Sequence, residues 1–280
     1  SAKTLASITA SECETVVQQI RGQIAPLTIA LGSSEALETS TLNSLVWVIG
    51  ICQNAQASST QQQWDYVREA LQGLLLNYLR GKSGTTYQAN RNDLAVFATR
   101  GTTTVNDVAT EATLPPDSTT LKYTNRVLTG LSGLGTHVDV HAVAYNQLTN
   151  PFSSSDTQEV SSRVVSVNVF KALASGSSTV PTSEAPLSIS GLADAHKVEL
   201  KMNTFRAPPP KNFNDTTGVF TATVCSFWNA SSSLWVQFHT AYQVGTTGSI
   251  TCKSDHLTDF ATVPGTVGCD SLASQTPTTN

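Results

Sequence analysis

Charged side chains are scarce. Asp, Glu, Lys and Arg make up 13% of the 280 residues, about half the usual share near 25%. Basic residues do not outnumber acidic ones, 16 against 20, and the net charge is −4. No positive field exists to hold a phosphate backbone, so nucleic acid is excluded as a partner. No apolar run reaches the ~18 residues of a bilayer-spanning helix. The longest, around Leu42 to Ile51, is interrupted at Asn43 and Ser44, so no membrane span is expected in this chain.

Other absences narrow the chemistry. No two cysteines stand in a CxxC pair, so zinc spacing is missing and no metal is expected. No Gly-x-Ser-x-Gly elbow occurs. Leu131-Ser132-Gly133-Leu134-Gly135 lacks the trailing glycine or lysine of a phosphate loop, and Asp and Glu show no hydrolase-like pairing. No cofactor and no ordinary enzymatic activity are expected. The start, Ser1-Ala2-Lys3-Thr4, is not a charged segment followed by an apolar one, so no signal peptide is present. Either the protein is cytosolic or its signal has been removed.

Ser and Thr fill the space that charge leaves, at roughly a quarter of the chain. Apolar residues recur throughout, so a sizeable core can form. Asn214-Asp215-Thr216 and Asn229-Ala230-Ser231 are N-glycosylation sequons. Ser153-Ser154-Ser155 and Thr276-Pro277-Thr278-Thr279 suit O-glycosylation. A surface solubilised by covalently attached glycans rather than by Lys and Glu fits this composition; a plain polar loop surface is the alternative. The sequons and cysteines favour an extracellular or cell-surface location with the signal already removed.

The hydrophobic period changes once along the chain. Residues 4–81 read helical. A first helix carries Leu5, Ile8, Val16, Val17, Ile20 and Ile24 and should stop or kink at Pro26. A second carries Leu37, Leu42, Leu45, Val46, Ile49 and Cys52. A third carries Trp64, Val67, Leu71, Leu74, Leu75 and Tyr78, with Thr60 as N-cap and Gly81 as stop. Residues 93–263 read as strands, at 93–99, 137–144, 163–170, 197–205, 219–227 and 234–240. The expected class is α+β, a helical subdomain at 1–84, then an antiparallel β-sandwich at 85–263 and a polar tail at 264–280. His137, Asp139 and His141 share one face of a strand. The two histidines lie about 13 Å apart, too far to share a metal, and the three are expected to form a solvent-facing polar stripe.

The five cysteines are Cys13, Cys52, Cys225, Cys252 and Cys269. Two pairs with one left over is the natural arithmetic. Cys13 and Cys52 fall among the helices, Cys225 and Cys252 among the last strands. Cys269 is then the odd one, a candidate for an intermolecular bond. Five buried free thiols is the alternative.

The stretch 225–263 is the most informative. It reads Cys225-Ser-Phe227-Trp228, then Trp235, then Cys252-Lys-Ser254-Asp-His256-Leu257-Thr258-Asp-Phe260-Ala261. It resembles the GPS motif that ends the GAIN domain of adhesion receptors and polycystin-type proteins. The resemblance implies a bridge between Cys225 and Cys252. A second family bridge is missing: Ser254 stands in place of one cysteine, and the cysteine expected after Trp235 is absent. It also implies a helical subdomain followed by a sandwich.

In that family the Leu–Thr bond of His-Leu-Thr can cleave itself. The resemblance places that bond between Leu257 and Thr258, with the Thr258 hydroxyl attacking the Leu257 carbonyl and His256 accepting its proton. A structural turn with Leu257 and Phe260 in the core is the alternative. Such cleavage would be a single turnover. The favoured function is a non-enzymatic extracellular structural or adhesion module, the subunit of a glycosylated surface filament or appendage, engaging copies of itself or other extracellular proteins. Its support is the polar run from Pro264 to Asn280, where receptor-type relatives have a membrane helix. The alternative is the ectodomain of an adhesion- or polycystin-like receptor, self-cleaving at Leu257–Thr258. A lectin-like binding module or hydrolase would need clustered carboxylates or aromatics, which are not evident.

Overall fold

The computed structural model describes residues 8–24, 37–55, 61–82, 84–91, 94–103, 108–134, 136–145, 150–152, 159–174, 185–193, 197–205, 219–243 and 248–268. Three helices lead: α1 (Ala10–Gln19), which runs into a π-turn at Ile20–Ile24, α2 (Thr39–Ala55) and α3 (Gln61–Leu79). A capping box starts α1. The Thr9 hydroxyl accepts from the Glu12 amide at 3.3 Å, and the Glu12 carboxylate accepts from the Thr9 amide at 3.0 Å. Cys13, Val17 and Ile20, at helical spacing, form its buried stripe, whereas Val16 is exposed. On α3 all six residues of the expected face are buried. The helix stops where Gly81 takes φ +66°, a left-handed conformation that a Cβ would disfavour. Leu5, Pro26 and Thr60 lie outside the described residues.

Two antiparallel sheets follow. The first has seven strands in the order β1-β2-β5-β6-β11-β8-β9, with β1 (Thr86–Arg91), β2 (Leu94–Thr102), β5 (His137–Ala144), β6 (Val165–Lys171), β8 (Val219–Asn229), β9 (Leu234–Gln243) and β11 (Asp259–Gly268). The second has four, β10-β7-β4-β3, with β3 (Ala109–Leu114), β4 (Thr119–Thr124), β7 (Val198–Asn203) and β10 (Ser249–Ser254). The class is α+β with a β-sandwich, three helices preceding the sheets.

Both faces of the large sheet are covered. Leu94, Val96 and Ala98 pack with the helices, while Ala95 and Phe97 pack toward the small sheet. This layering overturns the solvent-facing stripe. Asp139 and His141 are 0% and 3% exposed, and only His137 is open to solvent. Alternation assigns the three to one face, but α3 covers that face. Asp139 is matched by Arg100, whose guanidinium donates to both carboxylate oxygens at 2.8 and 2.9 Å. Burial still pushes the Asp139 carboxyl above the usual range, against the pull of Arg100. His141 packs on Phe170 with ring centroids 4.8 Å apart.

One cation organises the sandwich end. Arg163 is 1% exposed. Its Nε donates to the Tyr145 carbonyl at 2.7 Å and its Nη2 to the Ala144 carbonyl at 2.8 Å. Its Nη1 reaches the carbonyls of Leu114 and Pro115 and the Asp117 carboxylate. The guanidinium therefore ties the β3–β4 turn to the end of β5.

The last strand is central. β11 pairs with β8 from Phe260↔Phe227 to Gly268↔Val219, but with β6 only at Asp259 and Phe260. Beyond them the Thr262 amide donates to the Ser162 hydroxyl at 2.9 Å, away from β8. Pro264, two residues on, faces the same side, where no ladder remains to be broken.

Candidate functional site

The end of the chain is built around a bridge between sheets. Cys225 lies on β8 of the large sheet and Cys252 on β10 of the small one; they are joined, with Cα atoms 5.8 Å apart. A second disulfide, Cys13–Cys52, joins α1 to α2 at a Cα separation of 5.2 Å.

The Phe-Trp dipeptide divides across β8 because successive side chains leave a strand on opposite faces. Phe227 points between the sheets, and Trp228 points to the helix side. Trp228 is paired with Trp235 across the hairpin, ring centroids 5.5 Å apart, and Phe152 packs against both. The Arg68 guanidinium sits 4.5 Å over the Phe152 ring. Inside the sandwich Phe227 meets the edge of His256 at 4.6 Å, and Phe260 lies 6.0 Å from His256.

Between β10 and β11 the chain bends at Asp255–Thr258. Three backbone bonds clamp the bend. The Leu192 amide donates to the Asp255 carbonyl at 3.0 Å, the Leu257 amide to the Ile189 carbonyl at 3.1 Å, and the Val167 amide to the Thr258 carbonyl at 2.9 Å. Ser254, 2% exposed, closes the bend from within. Its hydroxyl donates to the His256 carbonyl at 2.8 Å and accepts from the His256 amide at 3.3 Å. Ser254, expected from the resemblance to stand in place of a cysteine, supplies a turn-closing hydroxyl.

His256, Leu257 and Thr258 are thus brought together on one bend, with Leu257 packed against the sandwich core. The imidazole, however, addresses other groups. Its Nδ1 lies 2.8 Å from the Asp255 carboxylate and 3.3 Å from the Ser254 hydroxyl. Its Nε2 is buried without a hydrogen-bond partner. Among the described residues no hydrogen bond joins His256 to the Thr258 hydroxyl. No residue from Asp255 to Thr258 has a positive φ. The bond to His256 holds the Asp255 carboxyl below the usual carboxylate range.

Sequence reasoning assigned no role to Asp255. It also missed Asp259, whose carboxylate accepts from the Ser166 hydroxyl across the β11–β6 pair and whose pKa burial raises. Asn229 lies at the β8–β9 turn, half-buried, with its side-chain oxygen accepting from the Ser231 and Ser232 amides. Asn214 and Cys269 lie outside the described residues. No group of His, Cys, Asp and Glu suited to a metal occurs among the described residues. No described helix is long and apolar enough to cross a membrane.

Together these features describe a two-layer β-sandwich with helices on one face, pinned by two disulfides. No family model and no curated protein matches the chain. Among solved structures it is distantly similar to the full extracellular region of zebrafish Gpr126/Adgrg6, at 11% identity and a TM-score of 0.45. That alignment takes in 91% of this chain and 36% of the other, so the chain spans little more than a third of that structure.

Proposed function

We propose that the chain is a non-enzymatic extracellular structural or adhesion module that works as one covalent piece. The observation that carries this reading is the Cys225–Cys252 bridge between the two sheets, beside a bend whose histidine is engaged by Asp255 rather than by Thr258. Disulfides persist in oxidising compartments, and two of them in one chain favour a secreted or surface location. The sequons at Asn214 and Asn229 fit the same location. In the finer form of this reading the module is a glycosylated subunit that associates with its own kind. Cys269, the fifth cysteine by count, is then the residue that links neighbours.

Thiol counting tests the reading. Alkylation of the denatured, unreduced monomer is expected to label one cysteine, Cys269; labelling of all five would overturn it. A disulfide-linked dimer that disappears on Cys269→Ser supports the finer form, and a monomer under all oxidising conditions contradicts it.

The gathering of His256, Leu257 and Thr258 on one clamped bend favours a second reading, a receptor ectodomain that cuts itself after Leu257. That reading requires the ring to leave Phe227 and turn onto Thr258.

A further inference from the structure

A cleft of about 320 Å³ lies between α3 and the helix-facing side of the large sheet, on the face where a solvent stripe was expected. Its roof is one polar face of α3, with Asp65, Arg68, Glu69 and Gln72 at steps of three and four. Its floor carries His141, Asn168, Ser166 and Asp259.

The floor residues are set by register. Ser166 and Asn168 are two apart on β6, so they share a face. Asp259 of β11 is opposite Ser166, and His141 of β5 is opposite Asn168. Neighbouring strands are about 4.8 Å apart, and same-face residues along a strand about 6.8 Å apart. Four hydrogen-bonding side chains therefore stand in a staggered row across three strands. A sheet face covered by a helix is ordinarily apolar. Here Val143, Tyr145 and Phe170 line the cleft as well, and the polar row lies among them.

One of these groups lacks a protein partner. The His141 Nε2 is buried with no hydrogen bond, in a side chain 3% exposed that lines the cleft. Such a group costs free energy unless something satisfies it. The imidazole is held neutral, so it offers one donor and one acceptor rather than a charge.

Arg68 pairs with Asp65 and Arg21 with Glu69. The Asp259 carboxyl accepts from the neutral Ser166 hydroxyl, and burial raises its pKa, which favours its uncharged form. The unspent chemistry is that of an uncharged, mixed donor–acceptor surface. An ammonium ion is a point charge, whereas a rigid ring bearing several hydroxyls can satisfy groups spread over two strand spacings.

We infer that this cleft is a binding site for a neutral, monosaccharide-sized polyol, held by His141, Asn168 and Asp259. The site adjoins the bend through Asp259 but opens on the opposite face of the sheet from the His256 ring, and its existence does not depend on the function proposed above.

Titration of the full chain with glucose, galactose, mannose and N-acetylglucosamine tests it, followed by the imidazole NMR resonances of His141. Putrescine serves as the cationic comparison. At least one sugar is expected to shift the His141 resonances saturably and leave those of the exposed His137 in place. Its affinity is expected to fall about tenfold or more in His141→Phe and in Asn168→Leu. It is expected to be unchanged in His137→Ala. The wild-type titration decides the matter even where a variant fails to fold. No shift with any of the four sugars, equal affinity in the folded variants, or binding of putrescine alone overturns the proposal.

Discussion

The Nδ1 atom of His256 lies 2.8 Å from the carboxylate of Asp255, its own chain neighbour, and the imidazole edge is set against Phe227. A proton acceptor acts only within hydrogen-bond reach of the proton it takes. With Nδ1 committed and Nε2 buried, the Thr258 hydroxyl has no base beside it. Releasing the imidazole is therefore the change that most favours self-cleavage. Asp255→Ala is expected to raise the fraction of chain cut after Leu257 relative to wild type, read by denaturing electrophoresis over days. An unchanged fraction would mean that the Asp255 contact does not restrain the ring.

The bridge between the sheets carries a definite stability. Its cysteines are 27 residues apart in sequence, and closing a loop of that size stabilises the folded state by about 3 kcal/mol. The double replacement Cys225→Ala with Cys252→Ala should lower the unfolding free energy by roughly that amount in a denaturant titration. An unchanged midpoint would show that the two sheets do not need their covalent tie.

Arg163 is a costly side chain to remove. It is buried, and it donates to four carbonyls as well as to Asp117. Arg163→Ala strands a buried carboxylate and several acceptors, at a cost of about 3–5 kcal/mol. Arg163→Lys should recover only part, because a single ammonium cannot reproduce a planar fork. Chemical denaturation of the three proteins gives the ranking, and a lysine variant as stable as wild type contradicts the assignment.

His141 sets an acid sensitivity. Burial pushes its imidazole from 6.5 down to about 3. The folded state therefore binds fewer protons than the unfolded state between those values. The stability held above pH 6.5 is lost as pH falls toward 3, by up to about 1.4 kcal/mol per pH unit. Burial raises Asp139 and Asp259, the opposite shift, and the bond to His256 lowers Asp255. Comparison with His141→Phe cancels these carboxylates, and it is made across the window from pH 6.5 to 5. Across it the stability of wild type is expected to drop relative to that of His141→Phe. Parallel pH profiles would show that the ring titrates normally in the folded protein.

The helices and the order of elements were legible because a period of 3.6 residues is written directly into Trp64, Val67, Leu71 and Leu74. The central strands were legible too, because Val138, Val140, Ala142 and Ala144 repeat every second residue. Strands β1, β3, β4 and β10 were not singled out as separate runs. Their alternation is real, with Leu121 and Tyr123 inside and Lys122 outside, but each is only six residues long and fills many positions with Thr, Ala or amides, so few large apolar side chains mark it. Which side of β5 faces water was not legible either. Alternation fixes that His137, Asp139 and His141 point together, but only the placement of α3 decides that the last two are buried. At the bend, His256, Leu257 and Thr258 could be named in advance. The hydrogen bond that selects Asp255 over Thr258 depends on a side-chain rotamer, and no spacing rule encodes that.

Intact-mass measurement of the denatured protein tests the central claim most directly. The account predicts one uncut polypeptide whose mass rises on reduction by four hydrogens, two for each of the bridges Cys13–Cys52 and Cys225–Cys252. Two fragments that divide between Leu257 and Thr258 in wild-type protein would contradict it.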